Sequence, residues 1–230
     1  MAYRCVAASV AGFIQQLAVG YISNGYFFYV AGVLPSHKPA ARIDRKILAT
    51  YDIAVSKWTR ARRKREGLAN VQYLRHGRFY VIIATHGVHP FFAAESKRLR
   101  DIRKHPIAFM GYSIGCRREH GGGAYHASVR IHRDCIRKLK VQFTRVAVPS
   151  SMENLCQLFR ALPFEPYAPV QNQLRGLLRA VNRCRAVAGL ERVPREALRW
   201  RRSPVRPFGP KESSESVVLL SATPTTELGE

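Results

Sequence analysis

The sequence predicts an α+β protein with an antiparallel sheet, helices on one face of that sheet and a ferredoxin-like order of strands. Residues 26–34 form an aromatic and β-branched run between Gly25 and Pro35, which is typical of a central strand. Residues 71–75 and 78–84 form two further runs joined by a turn, which indicates a β-hairpin. Between these strands, apolar residues recur at helical spacing.

Three helices are expected around these first strands. Residues 6–22 place apolar side chains at helical spacing, and the segment Ser23-Asn24-Gly25 is a good stop signal. Residues 39–51 repeat the pattern. Residues 52–65 predict a further helix, for which Ser56 is the N-cap candidate.

The segment after the hairpin alternates between helix and strand signals. The predicted elements are a short basic helix over 93–104, a strand over 107–114, a glycine-rich loop over 115–123, a strand over 125–132 and a helix over 135–146 capped by Asp134. The two strands pair most simply as a long hairpin, added to the ferredoxin-like core.

Composition changes divide the chain into three predicted parts. Residues 1–148 form the α+β domain, residues 149–202 a basic helical extension, and residues 203–230 a disordered tail rich in Pro, Ser, Thr and Glu. The predicted elements of the extension are a helix opened by a capping box of Ser150 and Glu153, a proline-rich linker, a helix over 170–188 ended by Gly189 and a basic helix over 194–202. The last two helices fit either a helix-turn-helix or an ordinary helical hairpin.

Charge is the strongest compositional signal. The 230 residues include 38 Lys and Arg against 15 Asp and Glu, which gives a formal net charge of +23. Such an excess predicts an anionic partner: nucleic acid, an anionic membrane surface or an acidic protein. A codon bias toward Arg is the alternative, but it does not explain why the charges cluster.

The cysteines and the apolar runs predict a cytoplasmic location. The five cysteines are scattered and form no Cys-x-x-Cys pair, so we expect no disulfide framework. The N-terminal apolar run is interrupted by Gln15-Gln16, and we expect neither a signal peptide nor a transmembrane helix.

The basic residues predict a nucleic-acid-binding surface, with DNA favoured over RNA. The residues expected to hold the phosphate backbone are Arg60, Arg62, Arg63, Lys64 and Arg65, with Arg75 and Arg78 beside them and Arg199, Arg201 and Arg202 as a second contact. An RNA-binding module is the alternative if the sheet aromatics face solvent and stack on bases. The oligomeric state is left open.

Histidines suggest a second alternative, a metal-dependent single-strand DNA nuclease or transposase-like enzyme. His86 and His89 would bind a divalent metal ion, and Tyr167 would be the nucleophile. However, two residues separate the histidines, so a strand would point them to opposite faces. The residues Cys116, His120, His126, His132 and Cys135 match no zinc-ligand spacing. The sequence therefore favours a protein without catalytic activity or cofactor and leaves the enzyme alternative open.

Three segments carry a resemblance to a family of bacterial proteins associated with mobile genetic elements. They are Phe13-Ile14-Gln15-Gln16-Leu17, residues 67–75 (Gly-Leu-Ala-Asn-Val-Gln-Tyr-Leu-Arg) and Leu162-Pro163-Phe164-Glu165-Pro166-Tyr167. The resemblance extends over residues 10–208. It implies no activity or site residue, and its association with mobile DNA favours an accessory DNA-binding factor.

Overall fold

Two antiparallel sheets and seven α-helices make up the described part of the protein in a computed structural model. The structure describes residues 3–118, 122–202 and 204–209. The helices are α1 (Val10–Gln15), α2 (Ala40–Thr50), α3 (Lys57–Arg65), α4 (Pro90–Ala94), α5 (Arg133–Val146), α6 (Met152–Arg160) and α7 (Ala168–Val187). The strands are β1 (Tyr26–Val33), β2 (Val71–His76), β3 (Phe79–Thr85), β4 (Arg100–Asp101), β5 (Ile107–Phe109), β6 (Tyr112–Arg118) and β7 (Tyr125–Ile131). The α+β class and the antiparallel pairing are confirmed.

The first sheet has the strand order β2-β3-β1-β4, and every pair in it is antiparallel. This is the order of a ferredoxin-like sheet, but its last strand has only two residues and the helix before it only five. The ferredoxin-like description therefore stays a prediction. At the other edge, Val6 forms a parallel bridge with Arg75 of β2.

Helical segments lie on both faces of this sheet, so the prediction that helices lie on one face is wrong. Leu74, Val81 and Ile83 pack on the side of α1 and the π-helix Gln16–Tyr21 that continues it, within the larger of two hydrophobic clusters. Tyr73 and Ile82 pack with Phe91 of α4 in the smaller one. The physical reason is that both alternating sets of side chains in the hairpin are apolar.

The second sheet corrects the single strand predicted over 107–114. Met110 takes a left-handed conformation, with φ of 45°, next to Gly111, and the chain turns there. Ile107 consequently pairs with Ile114 in a short hairpin, and β6 pairs with β7 over its whole length.

The C-terminal helices share the core of the second sheet. Leu174, Leu177, Leu178 and Val181 of α7 are buried in the larger hydrophobic cluster, which extends from Ala7 to Leu198. The boundary predicted between residues 148 and 149 stays a prediction. Of the predicted tail, residues 203 and 210–230 lie outside the described residues, and within 204–209 the carbonyl of Pro207 accepts the N–H of Ala8 at 3.0 Å.

Two predicted basic helices are wrong, each for a local reason. Over 93–104, the helix α4 begins earlier because His89 caps it and Pro90 opens it, and Arg100–Asp101 then pairs with β1. Over 194–202, the chain forms only the 3₁₀ turn Arg195–Ala197.

Two predicted caps are also wrong. Ser151, not Ser150 in a capping box with Glu153, accepts the N–H of Asn154 at the start of α6. His132, not Asp134, occupies the N-cap position of α5. None of the helices formed by the described residues combines the length and the apolar character needed to cross a membrane.

Candidate nucleic-acid interface

Helix α3 is the most basic element of the described chain. Its nine residues, Lys-Trp-Thr-Arg-Ala-Arg-Arg-Lys-Arg, contain six cations and no carboxylate. Ser56 caps it as predicted, because its hydroxyl accepts the N–H of Thr59 at 3.1 Å. The four consecutive cations of residues 62–65 lie in the last turn, where the negative end of the helix dipole favours positive charge.

The inner side of α3 is fixed to the domain by its own side chains. Arg63 forms an ion pair with Asp52, and the Arg60 guanidinium donates to the Val55 carbonyl at 2.7 Å. The Asn70 side-chain amide donates to the Arg60 carbonyl at 3.0 Å. Arg60 and Arg63 therefore hold the helix in place, which sequence reasoning did not distinguish from phosphate binding.

The segment that follows α3 is hydrogen-bonded to the segment that follows β3. The Ala69 N–H donates to the Val88 carbonyl at 3.0 Å, and the Val88 N–H donates to the Gly67 carbonyl at 3.1 Å. Gly87 makes this approach possible: its φ is 130°, and a Cβ there would lie 2.6 Å from the Ala69 nitrogen. This backbone contact fixes where the chain leaves α3.

The outer face of α3 presents an aromatic ring among cations. Trp58 is 83% exposed, which is unusual for a side chain that stabilises folds mainly by burial. Arg62, Lys64 and Arg65 line the same shallow concave surface. Among the described residues, the carboxylate paired with these three cations is that of Glu66, 3.8 Å from Arg62 and exposed to solvent. We call Trp58, Arg62, Lys64 and Arg65 the α3 outer face.

Arg75 is not part of this face. Its guanidinium binds the Asp44 carboxylate with nitrogen–oxygen distances of 2.8–3.2 Å, and the Tyr73 hydroxyl donates to the same carboxylate at 2.6 Å. The side chains of Arg75 and Asp44 are only 12% and 8% exposed. Arg75 therefore holds α2 against the first sheet.

Arg78 also bonds within the chain. Its guanidinium donates to the Pro35 carbonyl and, at 2.8 Å, to the Ser36 carbonyl. The residue thus fixes the loop that follows β1, although its side chain remains exposed.

The C-terminal arginines predicted as a second contact have separate surroundings. Arg199 lies 3.5 Å from the Glu165 carboxylate. The Arg202 guanidinium lies 4.5 Å from the centre of the Tyr167 ring and donates to the Gln15 side-chain oxygen at 3.1 Å. Arg201 is exposed. These residues do not form one basic helix face.

The predicted catalytic residues have separate contacts. His89 accepts the Phe91 N–H through Nδ1 at 3.1 Å, and burial, with Arg63 nearby, lowers its pKa. His86 lies exposed, with its ring centre 6.1 Å from that of Phe28. Tyr167 packs against the larger hydrophobic cluster, where burial raises the pKa of its hydroxyl.

Within the described ranges, no group of three His, Cys, Asp or Glu residues could hold a metal ion. Of the cysteines and histidines compared above with zinc-ligand spacings, Cys116 is buried in β6, the His132 imidazole accepts the Asp134 N–H, and His120 lies outside the described residues. All five cysteines are unpaired thiols.

A cavity that sequence reasoning missed lies beside α3. It has a volume of about 620 Å³, and its lining includes Tyr3, Tyr21, Tyr26, Gln72, Lys57 and Arg60. These residues come from distant parts of the chain, so their spacing in the sequence does not predict that they lie close together.

Comparisons with known proteins add no assignment: no family model, curated protein or solved structure matches the chain.

Proposed function

We propose that the protein binds nucleic acid through the α3 outer face, with DNA as the expected partner. The observation that carries the proposal is the exposed indole of Trp58 surrounded by Arg62, Lys64 and Arg65. An indole stacks on unpaired bases of any sequence, and the neighbouring cations neutralise phosphates of the same strand. The arrangement therefore favours a single-stranded segment.

The distribution of charge supports the proposal. Close packing of like charges within α3 raises the free energy of the unbound protein, and an anionic strand lowers it. Within the described chain, no ion pair engages Lys64 or Arg65. These two cations are therefore available to a partner.

The aromatic residues of β1 do not provide an alternative stacking surface. Tyr26 and Tyr29 are buried, and Phe27 and Phe28 are half-buried beneath the guanidinium of Arg103, at 4.9 and 5.5 Å. The aromatic residues of β1 therefore do not favour the RNA-binding alternative, and RNA serves as a competing ligand in the binding experiments.

The first experiment measures affinity for single-stranded DNA, duplex DNA and RNA between about 50 and 200 mM salt. For single strands, log K falls with log salt by about 0.7 for each neutralised phosphate. We expect the triple variant R62Q/K64Q/R65Q to bind more weakly, with a slope shallower by about 2.

The matched control is R133Q/K138Q/K140Q, which removes the same charge from exposed positions on α5. If only the total charge of the protein determined the affinity, the two triple variants would lose the same amount of affinity. Equal loss would contradict an interface on α3, and a flat salt response of the wild-type protein would contradict nucleic-acid binding itself.

Trp58 provides a second, independent measurement. In a Trp200→Phe background the fluorescence reports Trp58 alone, since the chain has two tryptophans. We expect single-stranded DNA to quench this emission, and we expect Trp58→Ala to cost about 1–3 kcal/mol of binding free energy. Unchanged emission at saturating DNA would exclude stacking on this ring.

A further inference from the structure

The cavity beside α3 has a wall of neutral polar groups. The Tyr3 hydroxyl donates to the Gln72 side-chain oxygen at 2.8 Å, and the Gln72 nitrogen donates to the Tyr26 hydroxyl at 3.5 Å. Burial raises the pKa of Tyr3, Tyr21 and Tyr26, so these phenols stay protonated at neutral pH. The Tyr3 hydroxyl also accepts the Tyr73 N–H at 3.0 Å, so the Tyr26 hydroxyl and the Gln72 amide are the groups that keep further capacity to donate and accept hydrogen bonds.

Aromatic rings and cations complete the lining. The rings of Tyr21 and Tyr26 lie 5.6 Å apart, centre to centre. The Arg60 guanidinium is close enough to Tyr26 to oppose the effect of burial on the pKa of that phenol. Lys57 is exposed where α3 begins, and no Asp or Glu occurs among the described residues that line the cavity.

This chemistry corresponds to a nucleotide more closely than to a simple anion or an apolar ligand. The edges of nucleobases carry donors and acceptors side by side, which mixed phenol and amide groups recognise. The phosphate attached to the same nucleotide requires cations at the entrance. The cavity volume lies within the 300–1,000 Å³ range of ligand sites.

We propose that this cavity receives one unstacked nucleobase of the bound strand, while Lys57 and the Arg60 nitrogens that do not bond the Val55 carbonyl hold the phosphate of that nucleotide. The inference rests on the proposed function and adds a second site to it. Lys57 immediately precedes Trp58 in α3, so neighbouring faces of one helix bind neighbouring parts of one strand. Trp58 stacks on one base, and the cavity encloses another.

An abasic scan tests this directly. A single-stranded DNA oligonucleotide only as long as one binding site, so that the protein cannot shift its register, is prepared with one abasic site at each position in turn, and binding is measured for each. We expect the wild-type protein to show two positions at which base removal costs about tenfold in affinity, the equivalent of one lost base contact. Trp58→Ala should abolish one of these penalties and leave the other.

Ala54→Phe is designed to block the cavity. Ala54 lines it but is exposed, so a larger side chain enters the opening without disturbing the core. We expect this variant to lose the second penalty. The matched control is Ala94→Phe, an equal substitution at an exposed position on α4 that does not line the cavity. Tyr26→Phe, which removes one hydroxyl and keeps the ring, should reduce the same penalty.

The outcomes separate the two proposals. A wild-type scan with a single sensitive position, removed by Trp58→Ala, overturns the cavity inference and leaves the interface standing. The inference also fails if Ala54→Phe and Ala94→Phe give the same abasic scan. It fails as well if every cavity variant keeps the wild-type scan, even when free dTMP shifts the NMR signals of the cavity residues. Absence of any oligonucleotide binding contradicts the proposed function itself.

Discussion

At the scale of single residues, arginine serves two purposes that the sequence does not distinguish. Arg75 and Arg65 both have other basic residues near them in the sequence. Yet Arg75 is buried against Asp44, and Arg65 is exposed on α3. The difference is that a carboxylate from a distant segment of the chain pairs with the Arg75 guanidinium, whereas no ion pair engages Arg65 among the described residues. Asp44 lies 31 residues from Arg75, which no local pattern reveals.

Asp44→Asn should destabilise the protein by about 3–5 kcal/mol, because it leaves the Arg75 guanidinium buried without its counter-charge. Urea unfolding monitored by circular dichroism measures this loss. The control is Asp134→Asn, which removes an exposed partner of Arg137 and should cost less than about 1 kcal/mol. Equal effects would show that the buried pair contributes no more than a surface pair.

The lowered pKa of Asp101 predicts how the free energy of unfolding depends on pH. Hydrogen bonds from the Arg103 guanidinium hold the pKa of this carboxyl below its ordinary value of 3.8. Its contribution is therefore complete above about pH 4 and is lost as the pH falls through the lower, folded-state pKa.

We expect Arg103→Gln to reduce the difference in unfolding free energy between pH 6 and pH 2.5, and to raise the pKa of Asp101 in an NMR titration. An unchanged pKa in the variant would assign the shift to another cause.

At the scale of elements, the sequence predicted most of what the first half of the chain forms. Helix α3, its Ser56 cap and the β2-β3 hairpin follow directly from local patterns. The failures are segments where tertiary pairing competes with local preference. Arg100–Asp101 joins β1 as an edge strand although its neighbourhood favours a basic helix. Residues Arg195–Ala197 form a 3₁₀ turn, and Ala197 and Leu198 are buried there.

Strand β7 forms one edge of the second sheet, and a side chain of α7 bonds to its backbone there. The side-chain amide of Gln173 in α7 accepts the Ile131 N–H at 2.8 Å and donates to the Ile131 carbonyl at 2.9 Å. A glutamine side chain thus replaces part of a neighbouring strand. Exposed strand edges promote association between chains unless they are covered in some such way.

Gln173→Leu should cost about 1–3 kcal/mol of stability, since both backbone groups of Ile131 lose their partner. It should also increase light scattering on mild heating. Gln157→Leu, at an exposed position on α6, serves as the control for added apolar surface. Matching behaviour of the two variants would argue against a protective role of Gln173.

At the scale of the whole molecule, the net charge of +23 dominates. A compact fold holds like charges closer together than an unfolded chain does, so screening favours the folded state. The net charge predicts the kind of partner but not where that partner binds, so it could not locate the interface or the cavity. What located them was the exposure of Trp58 and the convergence of Tyr3, Tyr26 and Gln72.

We expect the midpoint of thermal unfolding to rise by about 2–4 °C or more between 10 and 200 mM sodium chloride, which corresponds to about 1 kcal/mol for a chain of this size. Differential scanning calorimetry measures it. A glycerol series without salt is the control for general solvent effects. A midpoint that falls with salt would mean that favourable ion pairs outweigh the repulsion.

The contact between Ala8 and Pro207 joins residues that are synthesised far apart in time. A Cβ at Gly12 would also lie 3.0 Å from Pro207, so one side of α1 is closely covered by this late segment. At 5–20 residues per second, a ribosome needs roughly 10–40 seconds to add the residues between them. Throughout that interval the growing chain lacks the segment that covers this side of α1, so this part of the fold is completed only when synthesis is nearly finished.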